Sequence, residues 1–307
     1  MTAIDQAAAL VALLRTRPRG MNWNEVAAEV AFEGDALAVW KRTTSDGALL
    51  ADSALNEALD AARRDIEVWQ RSGLHLVTVL DEDYPQRLLD IRETPPFLFT
   101  AGDLRGEDAG MSVVGSRRAS DHGHMIAEAT AQLLVEKGLT VIAGLAAGID
   151  TTAHRAALDA GGRTVAFVGT GITQYYPTQN RALQDQIARQ GLVLSQFWPD
   201  APPTKQSFPI RNASMSGYGL ATIVVEAGET SGTRIQARLA VEHGRPVILT
   251  DSVASSTEWG AALVGRPGVH VASGVSELSD SIDQILDGQN ALRHALEALN
   301  GLTPSAA

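Results

Sequence analysis

Val113-Val114-Gly115-Ser116-Arg117 reads as the end of a buried strand that runs into a glycine turn and then a helix. Such a junction turns free backbone N–H groups and a helix N-terminus outward, a geometry suited to an anion such as phosphate. Working outward, strand–glycine–helix junctions recur at Gly144, at Gly169 and at Ser231-Gly232-Thr233. Among them lies Lys205-Gln206-Ser207-Phe208-Pro209-Ile210-Arg211-Asn212, which puts a Lys, an aromatic and an Arg into one loop. Cations suit phosphate and an aromatic face suits a base. Together the junctions predict one phosphate- or nucleotide-facing rim.

The rim belongs to an alternating pattern. Strands are expected near 111–115, 139–143, 164–168, 191–196, 220–226, 246–250 and 269–272, and helices near 121–137, 149–160, 179–190, 209–217, 231–243, 257–263 and 275–287. The strands are continuous apolar runs, such as Thr140-Val141-Ile142-Ala143 and Ala221-Thr222-Ile223-Val224-Val225. Such runs mark a mostly parallel sheet covered on both faces, a doubly wound α/β fold. Ligands on such sheets bind outside the carboxyl ends of the strands, where the glycine turns fall.

Upstream, residues 1–72 read as a helical domain, with helices over Ala3–Arg15, Trp23–Ala31 and Ala36–Thr43 and a fourth capped by Ser53. The second and third of these have the spacing of a helix-turn-helix, but the segment is acidic, which favours a packing or interaction domain. Strands at Leu74–Leu80 and Phe97–Thr100 join it to a main domain over 73–290, and Ala291–Asn300 is expected as a separate terminal helix within 291–307.

Composition narrows the function. The 307 residues carry a net charge of −11 and no Cys. Disulfides, thiolate metal sites and a Cys nucleophile are excluded. Residues 1–100 hold 10 Lys+Arg against 16 Asp+Glu, residues 101–250 hold 13 of each, and residues 251–307 hold 2 against 7. A broad basic face is therefore excluded, while a local basic groove in the neutral middle is not. No apolar run has membrane-spanning length and the first residues lack a secretory leader, so a cytoplasmic protein without membrane contact is expected. No P-loop, HExxH or GxSxG motif and no metal-spaced carboxylate cluster is present. A binder rather than an enzyme is expected, with no catalytic residue, cofactor or metal.

The single motifs leave alternatives open. Gly115-Ser116-Arg117 fits a phosphate site or a tight turn with a solvated Arg. Gly144 fits close approach to a ligand or to a packed helix. Asp150 reads as a helix cap and His154 as a hydrogen-bonded structural group. Tyr175 and Tyr176 suit either a groove or the sheet edge. Arg234 and Arg238 suit solvent or an interface. Phe208 is expected as an exposed stacking residue, with a core plug as the alternative.

Taken together, Val114-Gly115-Ser116-Arg117, Ala143 to His154, Gly161-Gly162-Arg163-Thr164 leading to Gly169-Thr170-Gly171, Tyr176-Pro177, Phe208-Pro209-Ile210-Arg211-Asn212, and Val225-Glu226-Ala227 with Ser231-Gly232-Thr233 resemble the DNA-processing protein A (DprA/Smf) family in order and spacing. The resemblance spans roughly 74–250. It implies an extended Rossmann-like domain that binds single-stranded DNA, dimerises, and hands the strand to the RecA recombinase during DNA uptake. It maps the pocket onto Ser116, Arg117, Lys205, Phe208, Arg211, Asn212, Gly232 and Thr233. Ala147 and Ala213 stand where the family usually has Arg, residues 251–275 depart from its pattern, and the chain leaves no room for its common C-terminal winged helix. A second reading is a nucleotide sensor of the related SLOG type. The hydrolases of that group carry a carboxylate where this chain has Gln236.

Overall fold

The computed structural model describes residues 2–45 and 52–300. Helices α1 (Ala3–Thr16), α2 (Trp23–Glu33), α3 (Ala36–Ser45) and α4 (Asp52–Arg71) come first. Strands β1 (His75–Thr78) and β2 (Phe97–Gly102) follow. The chain then alternates: β3 (Gly110–Gly115), α5 (Asp121–Glu136), β4 (Thr140–Ala143), α6 (Ile149–Asp159), β5 (Thr164–Phe167), α7 (Arg181–Gln190), β6 (Leu192–Ser195), α8 (Ser207–Tyr218), β7 (Ala221–Glu226), α9 (Thr233–Glu242) and β8 (Val247–Thr250). It ends with α10 (Asp251–Ser256), α11 (Glu258–Ala261), β9 (Val269–Ala272) and α12 (Val275–Asn300).

All strands among the described residues join one nine-stranded sheet in the order β1-β2-β6-β5-β4-β3-β7-β8-β9. From β6 to β9 every pairing is parallel, and β1 and β2 add an antiparallel edge. The apolar runs are sorted by the two-residue period of a strand. Met111, Val113, Ala221, Ile223, Val225 and Ile248 face a core with α5, α6 and α12. Val114, Ile142, Val224, Val247 and Leu249 face the other core, with α8, α9 and α10. The expected doubly wound sheet is therefore present.

Chain order reverses beside β3: β4, β5 and β6 succeed one another on one side, and β7, β8 and β9 on the other. The gap between the carboxyl ends of β3 and β7 is thus the switch point of the sheet, where neighbouring connections diverge and leave a crevice.

The N-terminal helices contribute Leu10, Leu13, Val30, Trp40 and Ile66 to the core that also holds Phe97 and Phe99 of β2. Indole and phenyl rings join the layers: Trp23 to Phe97 at 5.4 Å, Trp69 to Phe99 at 5.0 Å, and Phe97 to Trp198 at 4.7 Å.

Three boundaries differ from expectation. The terminal segment beyond 291 is no separate helix, because α12 continues unbroken from Val275 to Asn300. Ser53 lies inside α4 rather than ahead of it. A short helix, α10, follows β8 directly, capped by the Thr250 hydroxyl, which accepts from the Val253 N–H at 3.4 Å. That signal was present in Thr250-Asp251-Ser252-Val253, where the sequence reading placed no element.

Phe97 is fully buried and touches Trp23, Phe99 and Trp198. Phe97→Ala is expected to cost about 3–5 kcal/mol of stability through the cavity it leaves. Urea unfolding followed by tryptophan fluorescence measures it.

Candidate functional site

A hollow of about 460 Å³ opens at the switch point. Gly115, Ser116, Arg117 and Arg118 come to it from the end of β3, Thr230, Ser231, Gly232 and Thr233 from the turn into α9, and Phe208, Arg211 and Asn212 from α8. A second hollow of about 190 Å³ adjoins it and is lined by Gly144, Ala147, Gly169 and Tyr176. Arg117, Ala146, Phe208 and Arg211 line both. The glycine junctions thus converge on one rim. Of the twelve expected site residues, Lys205 alone lines neither hollow. It is exposed just ahead of α8.

The chemistry of several residues differs from the sequence reading. Phe208, Arg211 and Asn212 are not in a loop, because α8 already starts at Ser207. The Ser207 hydroxyl holds that start, donating to the Gly169 carbonyl at 2.6 Å. Arg211 is no exposed phosphate clamp. Its guanidinium is buried and donates to the carbonyls of Gly144 and Phe167. Burial lowers its pKa to about 10, and the nearby Asp150 carboxylate opposes that shift.

Gly144 is explained by the same contact, since a Cβ there would fall 1.7 Å from Arg211 Nη1. Gly169 likewise makes room for Phe208, whose Cδ1 would meet its Cβ at 2.7 Å. Both glycines permit close packing within the protein. Gly232 meets nothing within 4 Å, so its face is open to the hollow.

The backbone behind Gly115 is less free than expected. The Ser116 N–H donates to the Glu226 carbonyl at 2.7 Å, and the Ser116 hydroxyl accepts from the Arg118 N–H at 3.1 Å. No helix opens there either. α5 starts only at Asp121, where the Glu226 carboxylate accepts from the N–H and hydroxyl of its cap, Ser120. The helix N-terminus that does face the hollow is that of α9, whose cap residue Gly232 has no side chain and whose Arg234 and Ile235 N–H groups donate to the Ser231 and Gly232 carbonyls at 3.2 and 3.1 Å. The Ser231 hydroxyl accepts from the Thr233 N–H at 3.2 Å and donates to the Thr233 hydroxyl at 3.0 Å.

Asp150 is not a helix cap. It lies inside α6, buried, and accepts from the N–H groups of Gly144 at 3.0 Å and Ala146 at 3.3 Å. Burial raises its pKa, and Arg211 pulls it back. It therefore shapes the Gly144–Gly148 loop. His154 is the structural group expected: it is buried, bonded through Nδ1 to Thr164 Oγ1 at 2.7 Å, and pushed by burial to a pKa of about 3.

The exposed chemistry of the rim is cationic and aromatic. The Arg117 guanidinium sits 5.0 Å from the centroid of the Phe208 ring, and Tyr176 lies tilted on that ring at 5.4 Å. Phe208 is half-buried, neither a free stacking face nor a core plug. Among the described residues, Arg117, Arg118 and Lys205 form no ion pair and the Asn212 side chain no hydrogen bond. Tyr175 turns away to Asp185. Sequence reading missed Arg118, Thr230, Met215 and Gln236 as lining residues. Their positions after a glycine turn or at helical spacing from Arg211 and Thr233 were the available signal. No helix among the described residues is long and apolar enough to cross a membrane.

The family model "DNA recombination-mediator protein A" matches residues 75–283. The Smf protein of Synechocystis is 36% identical over 239 residues, covering 76% of this chain and 57% of that protein. The DNA processing protein DprA of Streptococcus pneumoniae is 43% identical over 171 residues, covering 55% of this chain and 60% of that one. The chain thus spans less than two thirds of these relatives. The solved structure of the S. pneumoniae protein superposes with a TM-score of 0.70 at 29% identity, over 91% of this chain and 97% of that chain. DNA processing protein A from Helicobacter pylori, solved for its single-stranded DNA binding mode, shares the fold, with a TM-score of 0.61 at 22% identity.

If Arg211 is an internal tie, Arg211→Met should lower stability by about 3–5 kcal/mol, since two carbonyls and Asp150 lose their partner. Arg117→Ala, on the surface, should change it by no more than about 0.5 kcal/mol. Urea midpoints of the two variants separate these roles.

Proposed function

The chain belongs to the DNA recombination-mediator protein A (DprA/Smf) family, and on that premise we propose that it binds single-stranded DNA at the β3–β7 switch point, without catalysis. The observation that carries the reading is Arg117, without an ion pair among the described residues, lying over Phe208 beside Gly232 at the N-terminus of α9. A phosphate takes the guanidinium and the helix N-terminus, and a base takes the ring that Arg117 now covers. The H. pylori relative, described by its binding of single-stranded DNA, supports the ligand class. Two carboxylates near the rim are engaged: Asp150 by two backbone N–H groups and Glu226 by Ser120. Neither is placed as a general base, which supports a binder over an enzyme.

The protein protects single strands in the cytoplasm as a homodimer and passes them to RecA. That part of the proposal rests on family membership. Ala147 in the smaller hollow and Ala213 on α8 remove two cations expected of the family, so a weaker grip on the backbone follows.

Binding of fluorescent oligo-dT of increasing length, at two salt concentrations and in competition with mononucleotides, tests the reading. Affinity that rises with length, falls with salt and resists mononucleotides supports it. Saturation by one nucleotide would replace it with a nucleotide sensor. Arg117→Ala should reduce the slope of log affinity against log salt by about 0.7, one phosphate on a single strand. Phe208→Ala should weaken binding by about 1–3 kcal/mol and leave the slope alone.

A further inference from the structure

The chain has four tyrosines, and three of them are tied into the protein by their hydroxyls. Tyr84 donates to the Pro95 carbonyl at 2.6 Å, Tyr175 to the Asp185 carboxylate at 2.9 Å and Tyr218 to the Asp108 carboxylate at 3.1 Å. Tyr84 and Tyr218 are buried and Tyr175 is half-buried. Tyr176 differs on both counts. It is 40% exposed, and its hydroxyl has no hydrogen-bond partner among the described residues. A single exposed ring on a convex surface would be ordinary. This one lines a concave wall, that of the smaller hollow, and has no part in the larger one.

We propose that the smaller hollow is a second base subsite, in which Tyr176 stacks the base that neighbours the one on Phe208. The proposal rests on the single-stranded DNA reading and adds to it a second nucleotide and the residue that holds its base.

The two hollows share Arg117, Ala146, Phe208 and Arg211. A ligand that fills both crosses that common wall, as two successive nucleotides of one strand do. Arg117 is exposed there, so it meets the phosphate that joins them. The smaller hollow has no cation of its own. Ala147 lines it, Arg117 is shared, and the buried Arg211 Nη1 is bonded to two carbonyls. Small residues and rings suit the flat, neutral part of a nucleotide, whereas a phosphate would lose water there without a partner. The volume of about 190 Å³ lies below the roughly 300–1,000 Å³ of sites for whole small molecules. It suits a base whose sugar and phosphate stay at the rim. The rings of Tyr176 and Phe208 are inclined by 41°. A base lying flat on one cannot lie flat on the other, so the two rings serve two bases. Every base has a π-face, so this subsite tolerates any sequence.

The experiment compares oligo-dT with an abasic oligonucleotide of the same length, bound by the wild-type protein and by Tyr176→Leu, which keeps bulk beside Phe208 and removes the ring. Tyr176→Leu should lower affinity for oligo-dT by about tenfold, within the range of base–aromatic stacking, with the salt slope unchanged. On the abasic strand the two proteins should bind alike, and Tyr176→Phe should restore binding of oligo-dT. Adding Tyr176→Leu to Phe208→Ala should lower affinity for oligo-dT further, because a second base is released. No loss on oligo-dT, an equal loss on both strands, or no further loss in the Phe208→Ala protein overturns the proposal; the last would make Tyr176 a prop for Phe208. Tyr176→Met repeats the comparison if the Leu variant has a lowered urea midpoint. A wild-type protein that binds neither strand removes the single-stranded DNA reading itself, and this proposal with it.

Discussion

A buried guanidinium holds the working end of the sheet together. Arg211 reaches from α8 to the last carbonyls of two adjacent strand connections, at Gly144 and Phe167. Those oxygens lie where β4 and β5 end, and nothing in the sheet ladder would satisfy them there. The charge is tolerated because Asp150 lies close by, and Asp150 in turn fixes the loop after β4 through two N–H groups. One residue thus sets the rotation of α8 about its own axis. Phe208, three positions earlier on the same helix, is thereby placed against Gly169, Tyr176 and Arg117.

This explains why the fold was legible and parts of the site were not. Strand runs such as Thr140–Ala143 and Ala221–Val225 announce a buried parallel sheet by composition alone, and the glycine junctions mark where it opens. The rim residues followed, because every junction of a doubly wound sheet faces the same edge. What spacing could not give is the direction of a side chain. Arg117 and Arg211 look equivalent as letters, each beside a glycine or aromatic motif, yet one is solvated and the other is sealed among carbonyls. Gly144 and Gly169 likewise look like ligand-approach glycines, and the groups that approach them are Arg211 and Phe208. Asp150 looked like a cap because it opens a helix in sequence. Gly148, two residues earlier, takes the turn instead, with φ of 79°.

Net charge misleads in the same way. The protein carries −11 overall, yet many of its cations are neutralised locally: Arg15 by Asp65, Arg42 by Glu29 and Glu33, Arg163 by Asp103 and Asp108. Arg117 and Arg118 are not. At ordinary salt a charge is felt over roughly 10 Å, so an anion near the mouth responds to those two and to Lys205 rather than to the acidic flanks.

The turn into α9 is held from outside as well. Glu229 accepts from the Glu258 N–H at 2.8 Å, and the Trp259 indole reaches the Gly228 carbonyl at 3.4 Å. The segment after β8, which departs from the family pattern, thus braces the turn that leads into α9. Glu229 and Glu258 are both exposed. The position of Gly232 beside the hollow is thus held from residues 251–261 as well as from within its own turn.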